Sequence, residues 1–248
     1  MKISGFAQLR NELEKNNLLN WFRCMEAVCD NLFIYDQNST DGSIEEYKRH
    51  PETHVIESPI NDFVNEIRCK AELLEFLLQK SPDTNWVFWM DGDTLLERKG
   101  LHGHLRDVCE KYWGDTCTSL ILGHYNLWRS DVFYRVDTQF HFLHERGVYA
   151  LWKNDGNLGF QIQPGLHKHQ FPVDPRKGKR VDLSLIHRGF ATDESIIRKY
   201  QNYKSLGRLA PRLINEKKLT VKRLPDILPE WFKPTDTVNP TTKQKITC

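Results

Sequence analysis

The sequence predicts an α/β fold: a mostly parallel central sheet flanked by helices, then a smaller antiparallel or mixed sheet, a C-terminal helix and a tail. Three observations carry this. Short apolar runs alternate with segments of helical spacing over residues 2–97. Two of those runs, Leu32-Phe33-Ile34-Tyr35 and Trp86-Val87-Phe88-Trp89-Met90, stop abruptly at an aspartate. Beyond residue 98, strand-like runs follow one another without long helices between them. Strand–helix alternation is the signature of a parallel sheet with helices on its faces.

Each element has its own reason. Lys2 to Ala7 reads as a short first strand. Leu18, Phe22, Met25 and Cys29 recur at helical spacing, so a helix is expected from about Glu12 to Cys29. The run ending at Tyr35 is wholly apolar, as a buried strand is. Turn chemistry follows in Asn38-Ser39-Thr40-Asp41-Gly42-Ser43, where Ser39 or Asp41 is the expected cap of a helix through Glu45, Glu46 and Tyr47. His54-Val55-Ile56 is a weak third strand. Ile67, Ala71, Leu74 and Leu78, backed by Leu73 and Leu77, form the stripe of a long helix that Ser81-Pro82-Asp83 ends. Further strands are expected at Ser119–Leu122, Val132–Val136, Val148–Trp152 and Val181–Ile186. A last helix runs from about Asp193 to Leu206, capped by Thr192 or Asp193 and stopped by Gly207. After Ala210 the chain is first basic and then rich in proline (Pro225, Pro229, Pro234, Pro240), which reads as a tail lying on the surface.

Composition narrows the function. At 248 residues the chain suits one α/β domain with a small appendage. With 39% hydrophobic and 27% charged residues it can pack a core. A formal charge of +2 argues against a protein made mainly to coat nucleic acid. No apolar stretch approaches the ~20 residues of a membrane-spanning helix, and Met1-Lys2-Ile3-Ser4-Gly5-Phe6 does not open like a secretory signal. The six cysteines form no CxxC pair, so they are expected to be reduced thiols, mostly core filler, in a soluble cytoplasmic protein that is at most peripheral to a membrane.

Asp91-Gly92-Asp93 is the strongest chemical signal. Ligands of open α/β sheets bind beyond the carboxyl ends of the strands, carboxylates suit Mg²⁺ or Mn²⁺, and a glycine admits a phosphate close to the backbone. The plain alternative is a solvated Asp-Gly turn. Asp36 is a second acid at a strand end, suited to a base N–H or a ribose hydroxyl, or simply to a capping turn. Arg10-Asn11-Glu12 falls on the same rim.

With these residues in place, the chain resembles nucleotide-sugar-dependent glycosyltransferases of the GT-A fold, most like family 2, whose central sheet is Rossmann-like. The resemblance rests on Arg10-Asn11-Glu12, on Tyr35-Asp36-Gln37-Asn38-Ser39-Thr40-Asp41-Gly42, on Trp89-Met90-Asp91-Gly92-Asp93, and on Leu185-Ile186-His187-Arg188-Gly189 followed by Lys199-Tyr200 and Tyr203. It covers roughly residues 2–207. It implies one catalytic domain over 1–210, with a nucleotide-sugar half (1–97) and an acceptor half (98–210), and a tail over 211–248. Asp36 and Arg68 would hold the nucleoside base, with Arg10, Asn11, Glu12, Ser39 and Asp41 around the same pocket. Asp91, Gly92 and Asp93 would form the DxD motif, Asp91 also reaching the ribose, and Asp91, Asp93 and His187 would hold Mn²⁺ or Mg²⁺. His187 has the competing reading of an ordinary hydrogen-bonded histidine.

The implied reaction moves a sugar from a nucleotide-diphosphate donor to a hydroxyl of a glycan, glycoprotein or lipid-linked acceptor, inverting by direct displacement. No Glu-Asp pair stands late in the chain to take the acceptor's proton. Asp137 and then Asp131 are the candidates, unless Arg129 or Arg135 holds them in ion pairs. Trp128, Tyr134, Trp152, His167 and His169 are candidate pocket residues, with core packing the stronger reading for the tryptophans. Arg198, Lys199, Lys204, Arg208, Arg212, Lys217, Lys218, Lys222 and Arg223 make a basic cluster: a solvated face, or a site for an anionic partner such as the donor diphosphate, a lipid-phosphate acceptor, a membrane surface or DNA. The alternatives to a glycosyltransferase are a nucleotidyltransferase acting on a sugar phosphate and a non-enzymatic carbohydrate- or nucleic-acid-binding module.

Overall fold

The computed structural model describes residues 1–137, 145–162, 171–205, 219–235 and 240. His167, His169, Gly207, Arg208, Arg212, Lys217, Lys218 and Cys248 lie outside the described residues.

Alternation of side chains along buried strands builds a two-faced sheet. Strands β1 (Ile3–Leu9), β2 (Asn31–Asp36), β3 (Thr53–Glu57) and β4 (Trp86–Trp89) are all parallel and lie in the order β3-β2-β1-β4. Ile3, Ala7 and Leu9 of β1 face one side, with Leu32 and Ile34 of β2 and Trp86 and Phe88 of β4. There they meet Trp21, Phe22 and Met25 of α1 (Leu18–Val28), Tyr47 of α2 (Ser43–Tyr47), and Leu105 and Cys109 of α4 (Leu105–Lys111). Phe6, Phe33, Tyr35 and Val87 point the other way, onto Cys69, Leu73, Leu74 and Leu77 of α3 (Glu66–Lys80). Period-2 strands between period-3.6 helices thus yield two cores, one per face.

The second half extends this sheet and also supplies the small antiparallel sheet expected of it. Strands β5 (Thr94–Leu96), β6 (Ser119–Asn126), β8 (Val148–Lys153) and β9 (Gly178–His187) continue it as β4-β8-β6-β9-β5. Its pairings are mixed: β8 is antiparallel to β4 and to β6, β9 is parallel to β6, and β5 is antiparallel to β9. The expected strand around Val132–Val136 does not join it. As β7 (Phe133–Arg135) it pairs antiparallel with β10 (Val221–Arg223) in a separate ribbon. Helix α5 (Asp193–Ser205) follows β9. Thr192 caps it: the Thr192 hydroxyl accepts from the Ser195 N–H at 3.1 Å, and the Ser195 hydroxyl accepts from the Thr192 N–H at 3.2 Å.

Two elements differ from expectation. Helix α1 starts at Leu18, not Glu12, because Asn11 and Asn16 adopt left-handed φ of 52° and 56° and coil residues 10–17 into turns. Helix α4 was not anticipated, although Leu105, Val108 and Cys109 sit at helical spacing and are buried. Beyond β10 the chain returns to the domain: Arg98 N–H donates to the Ile227 carbonyl at 2.9 Å, and Leu224 is buried in the main core. The described cysteines are free thiols, and burial pushes those of Cys24 and Cys109 up to about 12. No helix among the described residues is long and apolar enough to cross a membrane.

Gly147 leads into β8 with φ of 72°, and a Cβ there would land on the Leu122 carbonyl and 2.9 Å from Ile121 Cγ2. Gly147→Ala is therefore expected to lower stability by roughly 2–3 kcal/mol, combining left-handed strain with a backbone clash. A urea midpoint unchanged from the parent would refute this.

Candidate active site at the sheet switch point

Strand order reverses at β1: β2 and β3 lie to one side of it and β4 to the other. Loops leaving adjacent strands in opposite directions open a crevice at their carboxyl ends, the usual ligand seat of open α/β sheets. The loop after β1 carries Arg10, Asn11 and Glu12; that after β4 carries Asp91, Gly92 and Asp93. The two touch at Gly92, where a Cβ would come within 2.7 Å of Glu12 Cγ and 2.9 Å of Leu9 Cδ2. Glycine here admits the Glu12 side chain rather than a phosphate.

Strand register brings His187 to the same place. It pairs with Thr94 across β9–β5, and the Arg188 N–H donates to the Asp93 carbonyl at 2.7 Å. On its other side His187 is in register with Asn126 of β6. Asn126 Nδ2 bonds His124 Nδ1 at 3.1 Å, which turns Asn126 Oδ1 toward His187 Nδ1 at 3.0 Å. Nδ1 of His187 therefore carries the proton, and Nε2 presents a lone pair.

That lone pair meets an ammonium. Lys199, two turns into α5, reaches down so that Nζ lies 3.1 Å from His187 Nε2 and 3.0 Å from Asp93 Oδ2. Asp93 Oδ1 stands 3.4 Å from the same imidazole nitrogen. Burial alone would raise the Asp93 carboxyl, but His187 first and then the Lys199 ammonium hold it well below the usual carboxylate range. Burial would lower Lys199, yet the Asp93 carboxylate raises it, so the pair is ionised. A Cβ on Gly189 would fall on Lys199 Nζ, 2.5 Å from Asp93 Oδ2 and 2.6 Å from His187 Cε1. Glycine is what leaves room for the cluster.

Asp91 stands apart from this trio. Its Oδ1 accepts from the Trp89 indole at 3.1 Å, and no hydrogen bond or ion pair joins it to Asp93, His187 or Lys199 among the described residues. Its side chain reaches solvent, but surrounding protein still desolvates it enough to raise the carboxyl, with Asp93 adding to the rise and Lys70 opposing it. Lys70 is buried, with Nζ 4.3 Å above the Trp89 ring.

The other predicted residues divide between rim and support. Asp36 is fully buried: Oδ1 accepts from the Ser39 N–H at 2.7 Å, and Oδ2 from the Ser39 hydroxyl at 2.6 Å and the Tyr47 hydroxyl at 3.0 Å. With those bonds made it anchors the loop behind the rim instead of facing a base. Ser39 also accepts the Asn11 N–H at 2.9 Å, and Asn11 Oδ1 accepts the Thr40 N–H at 2.9 Å. Asp41 accepts from Ser43 N–H at 3.0 Å and Glu14 N–H at 2.8 Å, tying the two loops together ahead of α2, whose N-cap is Gly42 instead of the expected Ser39 or Asp41. Glu12 holds Lys15 at 2.7 Å and Asn17 at 2.9 Å; burial raises its carboxyl, and Asp93 adds to the rise. Arg68 is exposed and pinned to Asp62 at 2.7 Å, and Arg10 is exposed at the rim.

The two candidate bases are engaged elsewhere. Asp137 accepts from Arg135 at 2.6 Å and from the Thr220 N–H at 2.8 Å, beside the β7–β10 ribbon. Asp131 is buried, bound by Arg188 at 3.1 Å and by Thr235 N–H and hydroxyl at 3.2 and 2.8 Å. Trp128, Tyr134 and Trp152 are core residues. Trp152 stacks on Trp89 with centroids 6.0 Å apart, so the aromatic beside Asp91 is Trp89, half-buried at the rim. Arg198, Lys204, Lys222 and Arg223 are exposed, while Lys199 leaves the basic face for the cluster.

Sequence reading gave no role to Lys70 or Asn126, quoted Trp89 only within a motif, and left Lys199 in a basic cluster that was either a solvated face or a site for an anion. Lys70 left a trace, falling between Ile67 and Leu74 on the apolar stripe of α3. For Asn126 and Lys199 the signal is tertiary, since only strand register and the docking of α5 bring them to His187.

A divalent ion at this place would need Asp91, Asp93 and His187 to converge. Two of them do, Asp91 is turned to Trp89, and the Lys199 ammonium occupies the space between the other two. No group of three histidine, cysteine or acidic side chains arranged to hold a metal occurs among the described residues. This donor set does not fit a resident divalent ion.

No protein-family model matches the chain, and no curated protein matches it. Solved structures do. One, a mycobacterial protein, has a TM-score of 0.48 at 13% identity, covering 90% of this chain and 84% of its own. Another, from Bacillus anthracis, is assigned as a glucose-1-phosphate thymidylyltransferase and was solved with sucrose. It has a TM-score of 0.41 at 9% identity, covering 83% of this chain and 95% of its own. At such identities, and with TM-scores below 0.5, neither sets the chemistry of this chain.

Proposed function

We propose that the chain is a glycosyltransferase that binds a nucleotide-diphosphate sugar across the switch point and transfers the sugar to an acceptor hydroxyl. One observation carries the reading: Asp93 from the loop after β4, a histidine from β9 and a lysine from α5 converge beyond the strand ends, where phosphates bind in sheets of this kind. The sequence resemblance adds the expectation that the phosphates belong to a nucleotide sugar. In such a transfer the acceptor oxygen bonds to the anomeric carbon as the bond from that carbon to the β-phosphate oxygen breaks. The electron pair leaves with the phosphate, and the acceptor's proton passes to a base or to water. What the site must supply is preorganised charge for the departing diphosphate.

The same crevice would also hold the product of a nucleotidyltransferase, in which a sugar phosphate attacks a nucleoside triphosphate. The released product separates the two. Incubation with a panel of nucleotide sugars, followed by assay of the nucleoside, should release nucleoside diphosphate from one donor class. Pyrophosphate release from a nucleoside triphosphate and a sugar phosphate would transfer the assignment to the second reading. Failure of every nucleotide in the panel to bind would end both.

A further inference from the structure

We propose that Lys199 is the cation of this site: its ammonium, seated between Asp93 and His187, neutralises the leaving diphosphate, and donor binding requires no divalent ion. This rests on the nucleotide-sugar reading and replaces the metal that the sequence resemblance implies.

The geometry is that of a built-in charge. An ammonium has three N–H bonds. Among the described residues two are spent, on Asp93 Oδ2 at 3.0 Å and on His187 Nε2 at 3.1 Å. Lys199 keeps 28% of its side-chain surface exposed, so an anionic oxygen can reach the ammonium from the crevice. The acceptors are themselves fixed. Asn126 holds His187 in the tautomer that offers Nε2 a lone pair, and the Arg188 N–H holds the Asp93 backbone at 2.7 Å. The Phe190 ring lies 4.6 Å from Lys199 Nζ, which adds a π face to the cation's surroundings. Gly189 clears the space the ammonium fills.

A divalent ion would have to displace this lysine, break its ion pair with Asp93 and recruit Asp91 away from Trp89. With the ammonium already in place, the charge that develops on the β-phosphate oxygen as the glycosidic bond breaks meets a preorganised cation. No metal need be gathered from solution. His187 is then a positioning residue, and its imidazole aims the ammonium instead of ligating a metal.

Calorimetric titration of the full chain tests this with two probes. Mn²⁺ alone should show no binding at micromolar concentrations. Nucleoside diphosphate should bind equally, within about twofold, in EDTA and in Mn²⁺, and Lys199→Met should weaken it at least tenfold, about 1.4 kcal/mol. Lys199→Arg, which keeps the charge, should recover part of the loss. Mn²⁺ binding that disappears in Asp93→Ala, or nucleotide binding abolished by EDTA and indifferent to Lys199→Met, overturns the lysine assignment and leaves the nucleotide-sugar reading standing. Absence of nucleotide binding in both EDTA and Mn²⁺ overturns that reading, and the lysine assignment with it. The EDTA comparison uses the unaltered chain, so poor folding of a variant does not blunt it.

Discussion

Gly189→Ala is expected to reduce nucleoside diphosphate affinity at least tenfold, about 1.4 kcal/mol, while changing the melting temperature little. The reason lies in what the new methyl meets. Its neighbours are Lys199 Nζ, Asp93 Oδ2 and His187 Cε1, all side-chain atoms and mostly far ends of flexible groups. The fold can accommodate the methyl by letting Lys199 swing outward, and the arrangement of charge is lost in doing so. Displacements of about an ångström at a charge-stabilising site cost far more in function than in folding. Calorimetry and thermal melts on one sample check both halves. A variant with parental affinity would show that the Asp93–Lys199–His187 cluster does not touch the nucleotide, and a variant that fails to fold would show that Gly189 is needed for the backbone instead.

The second large effect concerns stability. Asp36→Ala should destabilise the fold by about 3 kcal/mol, because it strands the buried Ser39 N–H, the Ser39 hydroxyl and the Tyr47 hydroxyl, at roughly 1–3 kcal/mol for each unsatisfied donor. For a chain of this size that is a fall of roughly 6–12 °C in melting temperature. Burial, with the Asp36 carboxylate beside it, pushes the Tyr47 phenol well above its ordinary range, so that hydroxyl remains a donor. Tyr47→Phe removes donor and demand together and should cost only about 1 kcal/mol. If Asp36→Ala instead left the melting temperature unchanged and abolished nucleotide binding, Asp36 would be a base-binding residue after all.

Asp36 also shows how far the sequence reaches. An acid after an apolar run marks a strand end correctly, and the carboxylate does lie at the rim's level. Whether it faces out to a ligand or back into its own loop depends on Ser39 and Tyr47, three and eleven residues away, and on how that loop folds over it. The strands of the first half were legible because burial on both faces leaves uninterrupted apolar runs. The start of α1 was not, since helical spacing says nothing about left-handed Asn11 and Asn16. The sorting of β7 away from the main sheet depended on β10, more than eighty residues later. Asp91 and Asp93 were singled out from local pattern, and His187 from the family resemblance. Lys199 was named only within a motif and a basic cluster, because a lysine on a basic helix looks the same whether it points to water or inward.

Three residues on neighbouring strands share one row: Asn126 of β6 beside His187 of β9, and His187 beside Thr94 of β5, immediately after Asp93. A one-residue slip in any of these strands would turn its side chain to the opposite face. Insertions or deletions within 119–126 or 178–187 should therefore silence the protein even where the swapped amino acids are innocuous. Length, more than identity, is the quantity that inheritance must guard in those two stretches, and a deletion scan would draw the boundary.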